Sequence, residues 1–145
     1  SCAGTAAFDT LYNKYCVLGA KITVDFVNTS PYHGVIVALN TTKDNAVIND
    51  IENVISQPRC IYSAIGQEGK KRLTLKYSAK NFLGVKDVLD IGTSKAVTGE
   101  NPATVVYLHC TSACLDESVD TGNIECLITV EYIVAYLEPK TFDQN

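Results

Sequence analysis

The sequence predicts an all-β fold of sandwich or jelly-roll type, and three observations carry that reading. Apolar and polar residues alternate with a period of two along several segments, β-branched residues crowd the same segments, and helical spacing is confined to short stretches between them. With 145 residues, 46% of them apolar and 19% charged, the chain reads as a single domain (1–145) able to bury roughly 68–70% of the surface its unfolded form exposes. That balance excludes a disordered segment, which needs low hydrophobicity and high net charge.

The elements follow in order. "FDTLYNKY" (8–15) spaces Phe8, Leu11, Tyr12 and Tyr15 at helical intervals and predicts a short helix. "KITVDFV" then places Ile22, Val24 and Phe26 on one strand face against Lys21, Thr23 and Asp25, before the turn "NTSP". "GVIVALN" (34–40) is a continuous apolar run suited to a strand covered on both faces. "TKDNAVINDIENVIS" spaces Val47, Ile51 and Val54 helically, with Asp44 or Asn45 as N-cap, and Pro58 closes it. "RCIYSAIG" is a third strand, and Gly66 and Gly69 frame a loop into "KKRLTLKYS", so 59–78 predicts a hairpin. A long polar loop, 84–102, is of the kind that serves surfaces and interfaces. "ATVVYLHC", the acidic turn "LDESVDTGN" and the long strand "IECLITVEYIVAYL" complete the chain. Phe26 and Tyr132 are expected in the core. The total is about six strands, two short of the eight in a closed jelly roll. The chain begins on Ser and contains no Met, so an upstream part carrying the other two strands is expected.

The search for chemistry is mostly negative. No apolar run reaches the roughly 18 residues of a membrane span, and residues 1–20 lack a signal-peptide pattern; no membrane partner is expected. Catalysis needs convergent titratable groups, but the two histidines, His33 and His109, have no partner at a recognised spacing, and phosphate-loop and nucleophile-elbow motifs are absent. Cys110 and Cys114 beside His109 resemble a zinc half-site whose second half is lacking apart from Cys126. Asp116, Glu117 and Asp120 lack EF-hand spacing and read as a solvated acidic turn. No enzyme, cofactor or metal is therefore predicted. Glu125 and Glu131, six apart, share one face of the last strand. Of the six cysteines (Cys2, Cys16, Cys60, Cys110, Cys114, Cys126), Cys16, Cys60, Cys110 and Cys126 lie in apolar runs and read as reduced core thiols. The even cysteine count, with the sequons at Asn28 and Asn40, keeps open an alternative: a secreted or cell-surface disulfide-containing β-sandwich binding module.

One segment stands apart. "KKRLTLKYSAKNFLGVK" (70–86) holds six of the twelve basic residues and no carboxylate, in a chain of net charge -4. Leu73, Leu75 and Tyr77 alternate with Arg72, Thr74 and Lys76, so one face packs and the other is wet, while Lys80 and Lys86 extend the positive stripe. An ordinary solvated face is one account. The sharper one makes Lys70, Lys71, Arg72, Lys76 and Lys80 a nucleic-acid surface that is backbone-directed and salt-sensitive, since no base-reading motif accompanies it.

Four stretches together resemble a family: "LYNKYCVLGAKITVDFVN" (11–28), "RLTLKYSAKNFLGVKDVLD" (72–90), "NPATVVYLHC" (101–110) and "VEYIVAYLEPK" (130–140). They are similar to the capsid proteins of circovirus-like, Rep-encoding, circular single-stranded DNA viruses, in the expected order over nearly the whole chain. The resemblance implies a viral jelly roll of eight antiparallel strands, with short helices in connections, that self-assembles into a small icosahedral shell around a circular single-stranded DNA genome. It implies that "YNKYCVLGAKITVDF" enters the third strand. It also implies that the first two strands and an Arg/Lys-rich arm, which binds the genome and directs the protein to the nucleus, lie upstream. The implied locations are the virion and, during assembly, the host nucleus; the implied partners are further copies of the chain and single-stranded DNA.

Overall fold

A computed structural model describes residues 5–116, 118–119 and 123–141. Among these the structure is mostly β, in two antiparallel sheets with short helices confined to connections, as the alternation predicts. The first long strand, β1, spans Tyr12–Asn28; β2 is Val35–Thr42, β3 Ile61–Ile65, β4 Lys70–Ser78, β5 Lys95–Val97, β6 Tyr107–Cys114 and β7 Ile124–Pro139. One sheet runs β4-β1-β5 with β7 also paired to β1, and the other runs β3-β2-β6.

Several local expectations need correction. Helical spacing over 8–15 yields only one turn, α1 (Thr5–Asp9), after which the chain is extended from Tyr12. Tertiary partners outweigh the local period there: Lys14, Tyr15 and Cys16 pair with Val97, Ala96 and Lys95 of β5, and the Tyr15 hydroxyl donates to the Glu100 carbonyl at 2.6 Å. The same pairing puts a short strand inside the polar loop 84–102.

The second helix, α2, is Ile51–Ile55 and is capped by Asp50, whose carboxylate accepts from the Glu52 amide at 3.0 Å and from Asn53 Nδ2 at 2.9 Å. Asp44 instead closes a local turn onto the Ala46 amide, which leaves Val47 in the exposed connection while Val54 is buried.

The hairpin expected over 59–78 does not form. Strand β3 pairs with β2, from Leu39↔Ile61 to Val35↔Ile65, whereas β4 pairs with β1, so the loop between them changes sheets. Asn28 anchors that crossing: its amide nitrogen donates to the Gly66 carbonyl at 3.0 Å and to the His33 carbonyl at 2.8 Å, and its backbone N–H donates to Gly69 O. Strand β6 starts at Tyr107, later than expected, because it follows β2 residue for residue from Thr42↔Tyr107 to Val35↔Cys114.

By contacts the chain falls into two compact units. The first comprises Ser1–Ala20, Tyr77–Val105 and Glu131–Asn145; the second comprises Lys21–Lys76 and Val106–Val130. In the second, alternate residues of β1 (Ile22, Val24, Phe26) are buried, as are Val35, Val37 and Leu39 of β2 and Leu73 and Leu75 of β4. Phe26 is thus a core residue, as its spacing predicts.

In the first unit Cys16, Ala79 and Val88 are buried together, with Leu18, Tyr77, Val85 and Leu89 packed on them. Helix α3 (Ala79–Leu83) brings Phe82 edge-on to Tyr77 at 5.5 Å and ends on Gly84, whose φ of 69° is left-handed. Gly19 is required in β1, since a Cβ there would lie 2.8 Å from the Tyr77 carbonyl oxygen.

Candidate assembly and nucleic-acid surfaces

The basic residues lie on the strand as the alternation predicts, yet they do not converge. Leu73 and Leu75 turn inward, and Lys70, Arg72, Thr74 and Lys76 are exposed on the opposite face. Lys71 shares the parity of Leu73 and is exposed where the strand begins, and Lys80 lies in α3, in the other unit.

Arg72 is already engaged. Its Nε and Nη2 donate to the two carboxylate oxygens of Asp25 on β1 at 2.6 and 3.0 Å. The hydrogen bond from Arg72 is the main influence and holds the Asp25 carboxyl below its usual range, against an opposing desolvation and with a smaller contribution from the Arg72 charge. The same partner pushes the guanidinium further up. The sequence reading missed this pair, although Asp25 stood on the polar face of its strand. What remains for a polyanion is a band of lysine ammoniums, which act as point charges rather than bidentate forks.

The other notable surface is apolar. Strand β7 is largely exposed: Leu127 is 67% exposed, Ile128 46%, Tyr132 53% and Ile133 64%. Tyr132 was expected in the core, and the correction has a topological cause. Strand β7 pairs with β1 alone among the described residues, so its other side carries no strand, and residues on both of its faces reach solvent. Glu125 and Glu131 share a face of β7 as predicted, and both are exposed.

The cysteines divide along the same line. All five described thiols are free; Cys2 lies outside the described residues. Cys16 is buried, as an apolar run predicts, but Cys110 and Cys126 are exposed on β6 and β7. Although Cys110 reaches solvent, the surrounding protein still withholds water from its sulfur, and this burial, followed by the nearby Cys126 thiol, pushes it up to about 11. A thiol held protonated in this way is a poor nucleophile.

Of the two histidines, His109 is occupied with structure. His109 Nε2 lies 3.1 Å from the Asp44 carbonyl and 2.9 Å from Thr42 Oγ1. Because a carbonyl only accepts, Nε2 carries a proton and donates, which ties the 43–50 connection to β6. A cavity of about 230 Å³ beneath that connection is lined by Asn40, Val47, Val54, Leu108, His109 and Cys110. Its lining joins no acid to a base among the described residues. No group of three metal-ligating side chains occurs among the described residues either. Of the acidic turn, Asp116 caps Ser118, whereas Glu117 and Asp120 lie outside the described residues.

Both sequon asparagines are inside the protein. Asn28 is 0% exposed and Asn40 1%, and the Asn28 amide is spent on the two carbonyls that fix the sheet crossing. A glycan acceptor must instead stand on the surface.

No family model matches the chain, and no curated protein matches it in sequence. Among solved structures, it is similar to a chain from Desmodium yellow mottle tymovirus, with 14% identity over 100% of this chain and 71% of that one, at a TM-score of 0.49.

Proposed function

We propose that the chain is the shell domain of a viral capsid protein, a non-catalytic subunit that assembles with copies of itself around a single-stranded circular DNA genome. The observation that carries this reading is the strand order. In an eight-stranded jelly roll with two Greek keys, the third strand lies between the sixth and the eighth, and the fourth lies between the fifth and the seventh. Counting β1 as the third strand and passing over the short β5, β1 lies between β4 and β7, and β2 lies between β3 and β6. The segment "YNKYCVLGAKITVDF", which the family resemblance assigns to the third strand, is β1 itself.

On this reading, residues 1–145 form one roll that is completed upstream by two strands and a basic, genome-binding arm, and the protein belongs to the virion, with assembly in the nucleus. The lysines of β4 and α3 add a weaker, salt-dependent attraction for the genome backbone. Residues 84–102 serve subunit contacts, which must close by rotation to make a shell. The secreted-module alternative is disfavoured by the buried sequon amides and the exposed, unpaired Cys110 and Cys126. Electron microscopy and sizing of the purified protein test the proposal: uniform closed particles are expected, and a strictly monomeric species across salt and pH would overturn it.

A further inference from the structure

Asn40 ends the apolar run of β2 inside the protein. It is 1% exposed, and its Oδ1 is buried without a hydrogen-bond partner. An acceptor taken out of water and left unbonded is costly, and each such group in a folded chain calls for an explanation. Asn40 stands directly opposite His109 in the pairing of β2 with β6, and both line the cavity of about 230 Å³ beneath the 43–50 connection. We propose that this cavity is a binding site for a compact, uncharged, largely apolar molecule whose single N–H or O–H donates to Asn40 Oδ1. The proposal is independent of the shell reading, since every lining residue belongs to the second compact unit.

Size, lining and roof together define the ligand. A cavity of about 150 Å³ accepts benzene, so this one takes roughly nine or ten non-hydrogen atoms. Val47, Ile48, Val54 and Leu108 supply apolar walls. Among the described residues the lining holds no Asp, Glu, Lys or Arg, so an ionised ligand would lose its water without gaining a counter-charge. The roof is tied down at both ends: His109 Nε2 bonds to the Asp44 carbonyl at 3.1 Å, and Asp50 caps α2. A site shaped in this way is formed ahead of its ligand, with one placed polar group to orient it. Water alone is the competing occupant, and an apolar ring separates the two.

Indole and benzofuran test the proposal, because they share one bicyclic frame and only indole has an N–H. Each is titrated into the 145-residue chain while the backbone amide resonances of Asn40, Val54 and His109 are followed. Indole should saturate these shifts with a Kd below about 1 mM, and benzofuran should bind at least about ten-fold more weakly, since a buried acceptor rejects an isostere that lacks the donor. Asn40→Leu should bring indole down to the level of benzofuran. Ile48→Trp, a change in the connection rather than in the sheet, should fill the cavity and weaken both. Failure of indole to saturate, equal affinities for the two rings in the unaltered chain, or an indole affinity unmoved by either variant would each overturn the proposal. Should Asn40→Leu fail to fold, the two rings on the unaltered chain decide the matter by themselves.

Discussion

Strands β4 and β7 both flank β1, yet they are built on opposite principles. Strand β4 alternates from Arg72 onward: Leu73 and Leu75 are buried, and the outward positions carry Arg72 and Lys76, with Lys70 on the same face where the strand begins. Strand β7 is apolar on both faces and exposed over most of its length. A lysine-bearing strand can stand at a sheet edge in water, because pairing it with another chain would bury charge. A strand with the composition of β7 belongs in the interior of a sheet. The difference teaches that two strands flanking the same neighbour answer to different surroundings: β4 is built for water on one face, and β7 is not.

The contrast can be broken by mutation. The largest effect should come from the inward face of β4: Leu75→Ala should cost about 2–5 kcal/mol in denaturant unfolding. The chemically identical change Leu127→Ala on β7 should stay within about 0.5 kcal/mol. Equal costs would mean that β7 is covered in solution. Phe26→Ala and Tyr132→Ala extend the comparison to aromatics, with about 3–5 kcal/mol expected for the first and a much smaller loss for the second.

Next in size is the polar face of β4. Replacing Arg72 and Lys76 together by Ser should lower stability by less than about 1 kcal/mol while reducing retained DNA and flattening its salt dependence. Because Arg72 is held by Asp25, Lys76→Ser alone should account for most of the DNA effect; if Arg72→Ser dominates, the ion pair opens on binding.

The smallest effect is electrostatic. The folded value of Asp25 is depressed, so the pair stabilises the fold above the ordinary carboxylate value, and that contribution is lost as pH falls through the folded value. Arg72→Ser should therefore make stability less steep in pH below about pH 4; an unchanged slope would show that the pair contributes nothing to folding. Near β7, the raised thiol of Cys110 should make its alkylation near pH 8 at least about ten-fold slower than in the unfolded chain. Equal rates would mean that its sulfur is fully hydrated.

How much of this was legible in the sequence depends on range. Alternation settled the class of fold, the inward residues of β4 and the core position of Phe26, because a period of two dictates which side chains share a face. Pairing was not legible. The loop 66–69 looks like a hairpin turn, but β3 is claimed by β2 and β4 by β1, and the bonds that fix the crossing come from nearly 40 positions away, from Asn28 to Gly66 and Gly69 and from Glu68 to Ser30. Burial of Tyr132 and Cys126 was inferred from apolar neighbours, but hydrophobicity records what a strand is suited to lie against and not whether its neighbour is in this stretch of chain. Likewise the basic residues were visible as a stripe, while the neutralisation of Arg72 required knowing that β1 lies beside it.

The two asparagine triplets carry a last consequence. The transferase that recognises them acts on unfolded polypeptide, before any sheet has closed. A sugar added to Asn28 would replace a hydrogen that this amide needs for the His33 or Gly66 carbonyl, and one added to Asn40 would have to fit where only 1% of the residue reaches solvent. Routed through a secretory pathway, the chain would be marked at positions its own interior must occupy and should accumulate misfolded, whereas translation away from that enzyme leaves both amides free to reach their places.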